Sequence, residues 1–142
     1  MPNRMMIRYV SAVHEFWYRL TGGLVGGRVG RAPVLLLTTT GRKSGRRRTT
    51  PLLYVQDGRD LVIIASNGGS DRHPNWWVNL RHDPRAEVQL GRERLSMRAE
   101  KASAEEKGRL WPLITGMYPQ YDSYQRRTTR EIPVVILRPE GG

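Results

Sequence analysis

Residues 33–55 read PVLLLTTTGRKSGRRRTTPLLYV, and this stretch decides the fold. Pro33–Thr39 is apolar and then β-branched, the composition of a strand buried on both faces. Gly41–Arg46 is a turn bounded by glycines. Arg47–Val55 returns as a second strand, and Pro51 marks it as an edge or a bulge because proline cannot donate to a ladder.

Working outward, Asp57-Gly58 signals a two-residue hairpin before the next strand, Leu61–Ser66. Asn67–His73 is a polar loop. Pro74 opens a short helix running to about Arg81. Arg85–Leu90 and Arg94–Ala99 form another hairpin around Gly91. Ser103 with Glu106 is a capping box that starts a helix towards Ile114. Tyr118–Gln125 continues as a helical turn, and Ile132–Leu137 is the last strand. Upstream, Met6, Val10, Val13, Trp17 and Leu20 recur at helical spacing, so Met5–Leu20 reads as an amphipathic helix. Gly22–Gly30 breaks that regularity. It is no dinucleotide fingerprint, since the spacing is wrong and no strand precedes it.

These elements give a mainly β, α+β fold. It has about six short, largely antiparallel strands, an N-terminal helix and two or three further helices. Covered apolar strands at 34–37 and 61–65 require a closed sheet, and a small barrel supplies one without exposed edges. The 142 residues suit one domain, 1–142, with 1–24 as a helix peripheral to it.

Lys and Arg number 24 against 13 Asp and Glu, a formal net charge of +11. Such an excess favours anionic partners: nucleic acid, anionic lipid or a polyanionic small molecule. There is no cysteine, so disulfides and thiolate metal sites are excluded. The longest apolar run is far short of the roughly 20 residues that span a membrane, and the N-terminus lacks the pattern of a signal peptide. A cytoplasmic location is the expectation. His14, His73 and His82 show no metal-ligand spacing, and no serine sits in a nucleophile elbow. If the chain is an enzyme, an organic cofactor carries the hard chemistry.

Four stretches can carry function. The first, Gly41–Arg48, packs five cations into seven residues with no acid. Its glycines allow a tight turn with outward amides, and Arg42, Lys43, Ser44 and Arg48 offer donors to phosphate or carboxylate. A solvated hairpin tip, whose charges protect an edge, explains the same residues. The second is Ala65-Ser66-Asn67-Gly68-Gly69, a strand end feeding a flexible loop, with an ordinary loop as the plainer reading. The third is Pro74-Asn75-Trp76-Trp77-Val78-Asn79-Leu80, where Trp76 and Asn79 share a helix face; at least one tryptophan should be core. The fourth is Tyr118, Tyr121 and Tyr124, three hydroxyl-tipped rings at a spacing of three residues. They line either a ligand pocket or a helix packed on the barrel.

In order along the chain stand Leu37–Gly45, Pro51–Tyr54, Ala65–Gly69, Pro74–Leu80, Trp111-Pro112 and Met117–Tyr121. This set resembles the deazaflavin-dependent nitroreductase family of actinobacteria, over about residues 5–139. The resemblance implies a split β-barrel of the FMN-binding-like superfamily. It also implies coenzyme F-420, a deazaflavin with a phosphate and an oligoglutamate tail. Carried over by position, Arg42, Lys43, Ser44 and Arg48 look like the phosphate and tail contacts. Leu53, Ile64, Ala65, Ser66 and Asn67 look like the ring's shelf. Asn75, Trp76, Trp77, Val78 and Asn79 look like the opposite wall. Tyr118, Tyr121 and Tyr124 look like the lid of a substrate pocket. Asn67 stands where some members have lysine, and Leu53 and Trp77 stand where a characterised branch has tyrosine.

The reading that follows is a reductase passing a hydride from reduced coenzyme to a flat conjugated acceptor: a quinone, an enone or a nitroaromatic. Tyr121 or Ser66 would supply the proton. A non-catalytic protein that binds or sequesters a deazaflavin, flavin or haem is the alternative. Nucleic acid is disfavoured because the aromatics do not interleave with the arginines. Residues 1–24, with Arg4, Arg8 and Arg19, can rest on the inner face of a membrane or pack on the barrel. A homodimer is a further expectation.

Overall fold

The computed structural model describes Arg28, Val29 and residues 32–140. The helix expected over Met5–Leu20 lies outside the described residues. Among the described residues, eight strands form one sheet: β1 (Arg28–Val29), β2 (Ala32–Thr40), β3 (Arg47–Leu53), β4 (Val55–Asp57), β5 (Asp60–Ile64), β6 (Arg85–Leu90), β7 (Glu93–Lys101) and β8 (Val134–Pro139). The helices are α1 (Asn75–His82), α2 (Ala104–Met117) and α3 (Gln120–Arg127), with a 3-10 turn at Asn67–Gly69. All strand pairs are antiparallel.

The sheet runs β1-β2-β6-β7-β8-β5-β4, and β3 pairs with β2. Strands β3 and β4 thus pair with opposite ends of this order, yet only Tyr54 separates them in the chain. One residue spans about 3.8 Å, so the sheet must roll until its ends meet. This closes the split barrel that the sequence points to. It also corrects the strand count from six to eight. The expected strand Arg47–Val55 divides at Tyr54, where the chain leaves β2 and joins β5, and β1 adds a short pair with Ala32 and Pro33. Pro51 is on β3, which among the described residues pairs only with β2, the edge position that proline requires.

Smaller boundaries also move. Asp57 ends β4, and the hairpin turn is Gly58-Arg59, with Gly58 at φ +63°. A positive φ at the first central residue alone is the type II′ pattern, which glycine favours. Strand β5 stops at Ile64, not Ser66. Strand β8 starts at Val134, not Ile132, because the Ile132 amide donates to Gln125 Oε1 and Pro133 has no amide to give. Helix α2 opens on the expected capping box, with Ser103 Oγ accepting from Glu106 N and Glu106 Oε1 accepting from Ser103 N. It continues through Pro112 to Met117, past the expected end at Ile114.

Period-two alternation divides the apolar residues between two cores. Leu61 and Ile63 of β5 and Val135 and Leu137 of β8 face the barrel interior, with Leu35, Leu37, Val88 and Met97. Helix α1 plugs that interior with Trp76, Trp77 and Leu80. Val62, Ile64, Val134 and Ile136 point the other way, onto Leu110 and Ile114 of α2 and Tyr121 of α3. Each large side chain so buried contributes about 1.5–3 kcal/mol. No helix among the described residues is long and apolar enough to cross a membrane.

Candidate functional site

The β2–β3 hairpin carries the basic loop. Thr40 pairs with Arg47, and the Gly41 amide closes the loop on Arg46 O at 2.8 Å. Gly45 N bonds Gly41 O, also at 2.8 Å, with Gly45 at φ +70°. A Cβ on Gly41 would lie 2.9 Å from Ser44 Oγ and 3.2 Å from Arg46 O, so a side chain there would displace the Ser44 hydroxyl. Ser44 Oγ accepts from Arg46 N at 3.1 Å, which leaves its proton to donate outward.

Arg42 folds back onto helix α1. Its amide and its Nη1 both donate to Asn79 Oδ1, at 3.2 and 2.8 Å. Asn79 Nδ2 donates in turn to Thr39 Oγ1 at 3.4 Å. The ladder sets Arg48 directly opposite Thr39, on the same face of the sheet. Arg42, Thr39, Asn79 and Arg48 are therefore one group. Of the loop's five cations only Arg47 has a carboxylate partner among the described residues, Glu87 at 3.2 Å. Arg42, Lys43, Arg46 and Arg48 have none.

The second group begins where β5 ends. The Ala65 amide donates to Pro133 O at 3.0 Å. Ser66 is helical (φ −77°, ψ −34°), and Asn67, Gly68 and Gly69 are all left-handed. Arg130 braces this turn, and sequence reasoning missed it. Its guanidinium donates to the carbonyls of Ala65, Ser66 and Ser70 and meets His73 Nδ1 at 3.2 Å. Thr128 Oγ1 adds a 2.8 Å bond to Asp71. Arg130 lies 65 positions from Ala65, and no local spacing announces such a contact. Burial and the neighbouring Arg130 lower the pKa of His73.

The three tyrosines cluster with ring centroids 5.2–6.5 Å apart. Tyr118 and Tyr124 hydroxyls both donate to Gln120 Oε1. Tyr121 is buried in the outer core beside Ile64, and burial pushes its phenol pKa well above the ordinary value. Leu53, Tyr118 and Tyr124 pack on the same core. The turn at Gly69 abuts α3, since a Cβ there would lie 3.1 Å from Tyr124 O.

Leu53, Ile64 and the tyrosines are thus brought together, as are Arg42, Arg48 and Asn79. Trp76 and Trp77 are core, 7% and 6% exposed, and of the five expected wall residues Asn75–Asn79 only Asn75 and Val78 show more to solvent. A cleft of about 730 Å³ opens elsewhere, lined by Arg98, Glu100, Arg138 and Glu140. It holds none of the expected residues. Its Arg138 is bonded to three carboxylates, Asp60, Glu100 and Glu106. Gly41–Arg48, by contrast, gathers four cations without a carboxylate partner among the described residues into one turn.

Comparison with known proteins identifies the family and the fold. The model of the F420H(2)-dependent quinone reductase family matches residues 10–139. An F420H(2)-dependent quinone reductase of Mycobacterium tuberculosis is 40% identical, over 95% of this chain and 96% of its own length. Among solved structures, an F420-H2 dependent reductase superimposes with a TM-score of 0.70 at 39% identity, covering 75% of this chain and 94% of that one. A second, described as a domain-swapped dimer, gives 0.72 at 38% identity, covering 89% and 97%. The chain belongs to the F420H(2)-dependent quinone reductase family.

Proposed function

We propose that this chain passes a hydride from reduced coenzyme F-420 to a quinone-like acceptor. The coenzyme's phosphate and oligoglutamate tail would lie over Gly41–Arg48 and its ring along Ile64–Asn67. The observation that carries the reading is the charge imbalance of the loop: four cations on a fastened turn, none with a carboxylate among the described residues. The donor set fits a polyanion with a ring. Arg42 and Arg48 offer planar forks, Lys43 a mobile charge and Ser44 a free hydroxyl proton. Asn79 is the neutral fastener, so holding Arg42 in place does not neutralise it.

When bound, the reduced coenzyme supplies a hydride from C5 of its ring. The chain's own part is positioning, because alignment of donor and acceptor removes much of the barrier. Leu53 and Ile64 form an apolar floor beside the tyrosines, while Asn75 and Val78 form the accessible edge of the opposite wall. Trp76 and Trp77 set that wall's shape from the core. A quinone that takes a hydride gains charge on oxygen, and a donor must meet it there. Tyr121 or Ser66 takes this role. The Tyr121 phenol would offer its O–H to that oxygen, and burial, which raises its pKa, makes it a hydrogen-bond donor that does not ionise.

The test is fluorescence titration of the oxidised coenzyme with wild-type protein and Arg48→Ala, followed by a panel of quinone, enone and nitroaromatic acceptors. Saturable binding, weakened by the substitution, with oxidation of the reduced coenzyme by a quinone, is the expected result. Absence of binding would sink the reading. Binding without turnover would favour a protein that sequesters the coenzyme.

Two finer points belong to the same reading. A homodimer is supported by the solved relative described as a domain-swapped dimer, and sedimentation velocity tests it. Peripheral contact with the inner face of the membrane rests on the apolar stripe and arginines of residues 1–24. Vesicle co-sedimentation of the chain with and without those residues tests that.

A further inference from the structure

The guanidinium of Arg130 is spent on backbone oxygens. Nη1 and Nη2 each donate to Ala65 O at 3.2 Å, Nη2 donates to Ser66 O at 2.8 Å, and Nε donates to Ser70 O at 2.8 Å. No described peptide is cis. In a trans peptide the C=O and N–H point in opposite directions. The Ala65 carbonyl shares its peptide with the Ser66 amide, and the Ser66 carbonyl shares its peptide with the Asn67 amide. Arg130 draws both oxygens to its own side, so both N–H groups face away from it. Ser66 is right-handed and Asn67 left-handed, with φ −77° and +47°. That alternation turns successive N–H groups into one concave donor pair. Neither amide meets an acceptor among the described residues. Ser66 is only 7% exposed, and a buried amide is rarely left unpaired. The pair is open to an acceptor that the described residues do not supply.

We propose that Arg130 is a positioning residue that aims the Ser66 and Asn67 amides at a carbonyl or enolate oxygen on the edge of the coenzyme's ring. The inference rests on the reading that Ile64–Asn67 faces that ring. The fork is essential to it. Three nitrogens in one plane gather three carbonyls, whereas a lysine is a single point of charge. The positive charge behind the two peptides also polarises their N–H groups towards the ligand.

The test follows the Ser66 and Asn67 amide signals of ¹⁵N-labelled protein during titration with oxidised coenzyme. Wild type is compared with Arg130→Gln and Arg130→Lys. Thr128→Val is the control, because it removes the 2.8 Å bond to Asp71 and the 3.3 Å bond from the Arg130 backbone amide while the Arg130 guanidinium keeps its own bonds to Ala65, Ser66 and Ser70. In wild type both amides should move downfield on saturation. Arg130→Gln should lose those shifts and raise the coenzyme Kd by about tenfold or more, the scale of one or two lost hydrogen bonds. Arg130→Lys should fall between, and it carries the test if Arg130→Gln does not fold. Thr128→Val should lower the Tm yet keep the Kd within about twofold. Wild-type Kd and amide shifts in the Arg130 variants would overturn this inference alone. So would a loss of affinity in Thr128→Val equal to that in the Arg130 variants. Wild-type protein that binds no coenzyme would overturn the inference and the function together.

Discussion

Arg42 gives both its backbone amide and its guanidinium to one acceptor, Asn79 Oδ1, at 3.2 and 2.8 Å. A hairpin loop is thereby registered on helix α1, and the same amide reaches Thr39 through Nδ2. Asn79→Ala should release the loop and leave the buried Thr39 hydroxyl short of a partner. The coenzyme Kd should rise about tenfold, since a hydrogen bond to a charged group is worth about 1.5–3 kcal/mol. Asn79→Asp should weaken binding further while holding the loop, because it would set an anion against Arg42. Isothermal titration of the two variants separates loop order from loop charge. Wild-type affinity in Asn79→Asp beside weakened binding in Asn79→Ala would show that order alone matters.

Arg48 lies opposite Thr39, exposed, with no carboxylate partner among the described residues. Attraction between exposed charges is screened over about 10 Å at 0.1 M salt. Affinity for the polyanionic coenzyme should therefore fall steadily as salt rises. Arg48→Ala should both weaken binding and flatten that salt dependence. If the substitution weakened binding with the salt slope unchanged, Arg48 would be acting through the shape of the loop.

Tyr121 is 6% exposed, and burial followed by the neighbouring Tyr118 and Tyr124 raises its pKa. Tyr121→Phe keeps the ring packed against Ile64 and Ile114 and removes one hydroxyl. Turnover with a quinone should fall about a hundredfold or more, the usual range for a lost donor at a reacting oxygen. Coenzyme affinity should stay unchanged. Stopped-flow oxidation of the reduced coenzyme measures this directly, and unimpaired turnover would remove Tyr121 from the chemistry.

Much of this was legible in the sequence, for a physical reason. Hairpins and caps are local, so Gly58, Gly91 and the Ser103–Glu106 box announce themselves within a few residues. The chemistry-bearing stretches are local too, and so Gly41–Arg48 stands out by charge alone. What could not be read was contact across the fold. The split at Tyr54 depends on β4 finding β5, which no property of Arg47–Val55 encodes. The fastening of Arg42 by Asn79 spans 37 positions, and that of the Ser66 turn by Arg130 spans 64. The two tryptophans illustrate the converse. Their pattern suits a ligand wall as well as a core, and only packing shows that both are buried.

His73 ties the Ser66 turn to pH. Its Nδ1 faces Arg130 Nη1 at 3.2 Å, so the ring accepts there and is neutral. Burial, then the charges of Arg130, Arg81 and Lys101, lower its pKa from the ordinary value of about 6.5. The unfolded chain binds the proton more readily than the folded one in the window between the two values. Stability therefore rises with pH across that window, is fully present above about pH 6.5, and is lost as pH falls through the folded value. Tm should drop between pH 7 and pH 5. His73→Gln, which cannot titrate, should flatten that slope. Asp57, Asp83 and Glu106, whose pKa values are lowered, titrate below this window and leave it clear. A slope unchanged in His73→Gln would place the titrating group elsewhere.

Gly68 and Gly69 separate backbone strain from packing at the same turn. Both are left-handed, at φ +65° and +82°, so an alanine at either costs about 1–2 kcal/mol in conformation alone. They differ in surroundings. A Cβ on Gly68 meets nothing within 4 Å. One on Gly69 would press on Tyr124 O at 3.1 Å, and on Tyr124 Cα and Arg127 Cβ at 3.2 Å. Two of those atoms are backbone, so helix α3 itself must retreat. Gly69→Ala should therefore lower Tm well beyond Gly68→Ala. Moving α3 shifts Tyr121 and Tyr124 relative to the Ser66 turn, so Gly69→Ala should also reduce kcat for a quinone more than it weakens coenzyme binding. Thermal denaturation and steady-state kinetics of both variants provide the comparison. Equal Tm losses would mean that α3 yields freely, and the tyrosines would then not be held in register with the turn by this contact.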